Sequence, residues 1–162
     1  LLAGESAAVR CLFVLAVETA MRLREMFTLT LAQVDLARKT IFLDKTKNGD
    51  KRQVPLSSVA LQVLRDYLPH AAEGQLFPWW DGQQKTLPAT SDYLSKLFAA
   101  IFIQAGAQSL RFHDLRHEAT SRLFERTRLT DLQIMRITGH KSHRMLMRYA
   151  NLRGSDLSEQ LW

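Results

Sequence analysis

Phe112-His113-Asp114-Leu115-Arg116-His117 opens a stretch that runs through Thr138-Gly139-His140 to Tyr149 and decides how the rest of the chain reads. It holds a cation able to clamp an anion, three imidazoles and a phenol able to act as a nucleophile. His113, Arg116 and His117 are three and four residues apart, so a helix puts them on one face and turns Leu115 towards the core. Arg beside His offers donors to two oxygens of a phosphate, and Arg stays charged under ordinary conditions. The same stretch admits ordinary structural explanations. His113 to His117 has the H-x-x-x-H spacing of zinc proteases, with His140 as a third ligand. Against metal, Asp114 stands where Glu is usual, and Arg116 brings a cation towards the ion. Gly139 is explained by helix capping alone, and an isolated Tyr such as Tyr149 is ordinarily a packing residue.

Outward from this stretch, the chain reads as mostly α-helical with one small antiparallel β-sheet, an α+β class. Ser6 to Ala20 predicts a helix apolar nearly all round, and therefore buried. Arg22-Leu23-Arg24-Glu25 follows at once, and such charges either point outward or converge on an anion. Met26, Phe27, Leu29, Leu31 and Val34 continue as a short helix and connection. Thr40–Leu43 and Gln53–Leu56 flank Lys45-Thr46-Lys47-Asn48-Gly49-Asp50-Lys51-Arg52, where Asn48-Gly49 predicts a hairpin turn. Four cations against one acid at that tip suit a phosphate surface.

Further helices are expected after the caps Ser57 or Ser58, Thr90, Thr130 and Ser142. The first should bury Val59, Val63, Leu64, Tyr67 and Leu68. The second should bury Tyr93, Leu94, Leu97, Phe98, Ile101 and Phe102, and end at Gly106. A helix starting at His113 or Asp114 should carry Leu115, Ala119 and Leu123 inward. Thr130 and Gln133 form a capping box for a helix ending at Gly139. Trp79 and Trp80 are expected to pack on the core. Ser155 is expected to cap a last short segment to Trp162, whose apolar side suits contact with another subunit.

The chain has 162 residues, 46% hydrophobic and 23% charged, with a net charge of +6. That is an ordinary globular composition for one domain, and the basic surplus points to a polyanionic partner. The single cysteine, Cys11, sits in an apolar run and reads as a buried core residue, so no internal disulfide forms. No apolar run has the length of a membrane span, and no signal peptide is visible. A cytoplasmic location, on the nucleoid when DNA is bound, is expected. The chain begins at Leu1, and a fragment of a longer protein is expected.

Order and spacing together are more specific than any one motif. Arg22 with Glu25, Lys47 eight residues before Pro55, His113-x-x-Arg116-His117, Gly139-His140 and Tyr149 nine residues on resemble the catalytic domain of the tyrosine recombinases, the phage integrase family. The resemblance spans nearly the whole chain, residues 1–162 as one catalytic domain, without the amino-terminal DNA-binding domain such enzymes usually carry. Ala20 departs slightly, since Gly is frequent there. The resemblance implies that Arg22 and Arg116 neutralise the non-bridging oxygens of a DNA phosphodiester and that Lys47 protonates the leaving 5′-oxygen. It implies that His113 assists proton transfer, that His140 bonds the phosphate, and that Tyr149 attacks, with Glu25 and His117 supporting. Arg24 competes with Arg22, but the spacing to Glu25 favours Arg22.

The implied activity is site-specific cleavage and rejoining of double-stranded DNA, giving integration, excision or inversion, with no metal and no cofactor. A homotetramer on paired sites is implied, with an accessory DNA-bending protein among the candidate partners. A type IB topoisomerase, a non-catalytic DNA-binding module and a zinc hydrolase are the competing readings.

Overall fold

The computed structural model describes residues 4–44, 51–71 and 73–149. Helix α1 (Ala7–Thr19) begins where Ser6 Oγ accepts from the Val9 amide at 3.3 Å. Ala8, Val9, Cys11, Leu12, Leu15 and Ala16 bury it on several sides, as its near-continuous apolar sequence requires. It packs against α3 (Ser58–Tyr67) and α5 (Phe112–Arg126) and forms the central post of the core. The chain leaves α1 through Ala20, a non-glycine residue in the left-handed region at φ 54°. It then enters the short α2 (Leu23–Phe27), capped by Arg22.

The sheet is β1 (Val34–Asp35), β2 (Thr40–Leu43) and β3 (Arg52–Pro55), antiparallel in that order. The third strand, at Val34, replaces the connection expected there. Ile41 pairs with Val54 and Leu43 with Arg52. Ile41, Leu43 and Val54 are buried while Phe42 is 40% exposed, the alternation that pleating imposes. The turn carrying Lys47 lies outside the described residues, as does the last segment expected after Ser155.

Ser57 caps α3 through its Oγ, 3.1 Å from the Ala60 amide. Ala60, Leu61, Leu64 and Tyr67 face inward, whereas Val59 is exposed. Helix α4 (Leu87–Gln104) starts before the expected cap. Thr90 lies within it, buried, its hydroxyl donating to the Thr86 carbonyl at 3.1 Å. Pro88 occupies the first turn of α4, where the missing N–H costs nothing. Tyr93 points to solvent, while Leu94, Phe98, Ile101 and Phe102 are buried. Phe77 stacks on Tyr67 and Trp79, and Trp80 lies against the same core.

Helix α5 buries Leu115 and Ala119, and Leu123 is half-buried. Thr130 and Gln133 close their capping box on α6 (Asp131–Thr138), which ends at Gly139 in the left-handed region. Ser142 caps α7 (His143–Leu146), and a single 3-10 turn then carries Tyr149.

Candidate functional site

The site begins with one acid. Glu25 is on the first turn of α2, its side chain 7% exposed. Its Oε2 accepts from the Arg22 amide at 2.8 Å and from Arg52 Nη2 at 2.7 Å, and its Oε1 accepts from Arg22 Nη1 and Arg52 Nη1, both at 2.9 Å. Four donors saturate the carboxylate. Burial alone would push Glu25 upward, but Arg52 and then Arg22 outweigh it and hold the carboxyl below its usual range. Arg24 is exposed, so the two arginines of this turn divide, Arg22 towards the site and Arg24 to solvent.

Arg52 is the residue that the sequence reading missed. Its place in the sequence sets it among the hairpin cations that suit a phosphate surface. Its side chain is instead 8% exposed and turned inward onto Glu25, and its Nε donates to the Ile137 carbonyl at 3.0 Å. The signal was in the strand alternation. Arg52 lies two residues before buried Val54, on the core-facing side, where a charge needs a partner.

Arg116 on α5 is 5% exposed and its Nη1 donates to the Ala20 carbonyl. Burial, then the charge of Arg22, pushes it down to about 10, which leaves it cationic at neutral pH. Its Nη2 is 3.4 Å from His140 Nε2. The other face of His140 fixes the tautomer. Thr138 Oγ1 donates to the Ile134 carbonyl at 2.8 Å and lies 2.7 Å from His140 Nδ1. With the hydroxyl proton committed to Ile134, Nδ1 carries the proton and Nε2 accepts from Arg116. Burial, then Arg116 and Arg22, pushes His140 down to about 4, so the imidazole is neutral at pH 7.

Arg22 also reaches this turn, its Nη2 donating to the Gly139 carbonyl at 3.3 Å. Gly139, at φ 71°, is required twice over: a Cβ there would sit 2.7 Å from Arg52 Nη1.

Tyr149 closes the site from the last turn. Its hydroxyl is hydrogen-bonded to His117 Nδ1, and its ring lies 5.6 Å from the His117 ring and 5.9 Å from that of His140. His113 makes an edge-to-face contact with His117 at 4.8 Å. Burial, then His117 and Arg116, lowers His113, and burial raises Tyr149 while Arg148 and Arg116 oppose the rise. An open cleft of about 910 Å³ lies over Arg22 and His140, walled by Lys51, Arg136 and Lys141. Among the described residues no group of three or more His, Cys, Asp or Glu is arranged to hold a metal ion.

The structure therefore brings together Arg22, Glu25, His113, Arg116, His117, His140 and Tyr149 from α2, α5, the end of α6 and the last turn. Lys47 lies outside the described residues. The sequence profile described as "Phage integrase family" matches residues 3–155.

The chain belongs to the phage integrase family.

The matched range includes every site residue named above. A relative in Escherichia coli, the "Shufflon-specific DNA recombinase", is 37% identical over 150 residues, 93% of this chain and 36% of that protein. A "putative integrase/recombinase" of Haemophilus influenzae is 35% identical over 126 residues, 78% of this chain and 38% of that protein. The chain thus spans a little over a third of the length of these curated relatives. Among solved structures, XerA recombinase aligns with a TM-score of 0.74 at 22% identity, over 96% of this chain and 56% of that one. The catalytic domain of bacteriophage HP1 integrase aligns at 0.59 with 27% identity, over 92% and 77%. XerH bound to its difH substrate aligns at 0.71 with 24% identity, over 95% and 46%. The mostly helical fold with its small antiparallel sheet is the tyrosine recombinase catalytic-domain fold of the phage integrase family.

Proposed function

We propose that this chain performs site-specific cleavage and rejoining of double-stranded DNA through a covalent tyrosyl intermediate. The observation that carries this is the convergence of Arg22, Arg116 and neutral His140 beside a cationic cleft, with the Tyr149 hydroxyl against the same cluster. Phosphoryl transfer asks for little covalent chemistry from the protein beyond positioning and charge neutralisation. Tyr149 attacks a phosphodiester in line, leaving a 3′-phosphotyrosine and a free 5′-hydroxyl. Arg22 and Arg116 meet the two non-bridging oxygens as charge accumulates there, and His140 takes up a hydrogen bond to the same phosphate. Lys47 protonates the departing oxygen. The stored phosphodiester then accepts a 5′-hydroxyl from another strand, so no nucleotide triphosphate is consumed.

A relative named as a DNA recombinase and a neighbour named as a site-specific recombinase bound to its difH substrate support duplex DNA as partner. Exchange between two duplexes needs four sites, and the assembly proposed is a homotetramer, with an accessory DNA-bending protein as a further partner. Among the described residues no helix is long and apolar enough to cross a membrane.

The test is trapping on nicked suicide duplexes drawn from the DNA flanking the gene. The wild type should become covalently linked to DNA, and Tyr149→Phe, which removes one oxygen, should bind without linking. A Phe variant that still links to DNA refutes the assignment of Tyr149.

A further inference from the structure

We infer that His117, not His113, is the catalytic group that takes the proton from Tyr149 as the tyrosine attacks. This deepens the proposed cleavage reaction and rests on it. The sequence places His117 one residue after Arg116, and the resemblance gives it only a supporting role. The geometry gives it more. His117 Nδ1 is the nitrogen hydrogen-bonded to the phenol, and the two rings lie 5.6 Å apart, tilted by 30°. His113 meets the edge of His117 instead, at 89° between ring planes. A proton moves along an existing hydrogen bond, and the acceptor must lie within that reach.

The surrounding charges suit the same division of labour. Burial, then His117 and Arg116, lowers His113. Two imidazoles in edge contact beside a buried guanidinium do not both become cations, because like charges at that distance repel strongly. Of the two, His117 is the one whose ring nitrogen meets the phenol, and His113 packs behind it.

The balance of the step is simple. The Tyr149 oxygen forms a bond to phosphorus and the bond to the 5′-oxygen breaks. The phenolic proton passes to His117 Nδ1, giving an imidazolium. The leaving 5′-oxygen gains a proton from the general acid. On rejoining, the imidazolium returns its proton to the departing tyrosine.

The experiment combines His117→Asn and His113→Asn with a fluorinated tyrosine at position 149. Asn places an amide oxygen near the position of Nδ1, so it keeps a hydrogen-bond acceptor but takes no proton. A fluorinated phenol is more acidic and depends less on a base. Single-turnover cleavage of the nicked duplex should slow by about 10²–10⁴-fold in His117→Asn, with DNA binding retained. The fluorinated tyrosine should restore most of that loss and should do little for the wild type or for any defect of His113→Asn. Full cleavage by His117→Asn overturns the inference, as does rescue confined to His113→Asn. Absence of a covalent complex in the wild type overturns the cleavage reading itself, an outcome separate from these. Imidazole ¹⁵N shifts of the unmodified protein give a readout that needs no variant to fold. Nδ1 of His117 should be unprotonated at rest, and a protonated Nδ1 overturns the proposal.

Discussion

Arg52 and Glu25, 27 positions apart, form a two-point ion pair at 2.7 and 2.9 Å with both side chains under a tenth exposed. Without Arg52 the buried carboxylate keeps only the amide and Nη1 of Arg22. Arg52→Ala should cost about 3–5 kcal/mol of stability, read as a lower urea midpoint. Arg52→Lys should recover only part of it, since an ammonium cannot reproduce the fork onto both oxygens or the bond to Ile137. A wild-type midpoint in Arg52→Ala would show the pair to be dispensable.

Gly139→Ala meets the same guanidinium. The left-handed backbone alone should cost about 1–2 kcal/mol for an alanine. The contact at 2.7 Å then forces Arg52 to give way. Combining Gly139→Ala with Arg52→Ala should therefore destabilise less than the two changes added separately. Simple additivity in urea unfolding would deny the steric coupling.

Stability should fall with acid before the carboxylates titrate. His140 ordinarily titrates at 6.5 and is held near 4 in the fold. Below about pH 6.5 the unfolded chain takes up a proton that the folded chain refuses until about pH 4, so stability present above 6.5 is lost across that window. His113 is lowered too and adds the same sign. Glu25, held below its usual range, contributes stability that is lost at still lower pH, as it is protonated in the fold. His140→Asn keeps a polar group near Thr138 but does not titrate. The drop in urea midpoint between pH 7.5 and 5 should shrink in that variant, and an unchanged drop would remove His140 as its cause.

Lys47→Ala should slow cleavage by roughly 10²–10⁴-fold while leaving DNA affinity nearly unchanged, if it acts as the general acid. A substrate with sulfur at the bridging 5′-position leaves as a thiolate and needs no proton, thiols being far more acidic than alcohols. The Lys47→Ala defect should largely vanish on that substrate, and the defects of Arg22→Ala and Arg116→Ala should persist. Failure of sulfur to rescue would assign Lys47 to holding the hairpin on the backbone.

DNA binding should weaken steeply with salt. The cleft is walled by Lys51, Arg136 and Lys141, and each phosphate contact releases counterions, so log affinity falls linearly with log salt. Affinity flat in salt would argue against a phosphate-lined interface.

Local chemistry was legible where one residue decides it. Ser57, Thr130 and Ser142 each cap the helix expected of them, because a hydroxyl before an apolar run has few competing uses. The grouping of Arg22, His113, Arg116, His140 and Tyr149 was legible as an ordered pattern. Thr90 misled because it too is a good cap, whereas Pro88 marked the true first turn. Val59 and Tyr93 misled because apolar periodicity does not say which edge of a helix a neighbour covers. The hydrogen-bonded partner of Tyr149 was hidden because His113 and His117 share one helical face. Their order around the phenol depends on the approach of the final turn.

Two bonds cross from early residues to the turn at the end of α6, Arg22 to the Gly139 carbonyl and Arg52 to the Ile137 carbonyl. During synthesis, both arginines leave the ribosome long before those acceptors exist. Until then Glu25 can gather its cations, but neither guanidinium has its final anchor. A nascent or prematurely terminated chain lacking residues beyond Met135 would lack His140 and Tyr149 as well as both anchors. Residues 137 to 149 thus deliver the reagent and the anchors of its clamps in one short stretch.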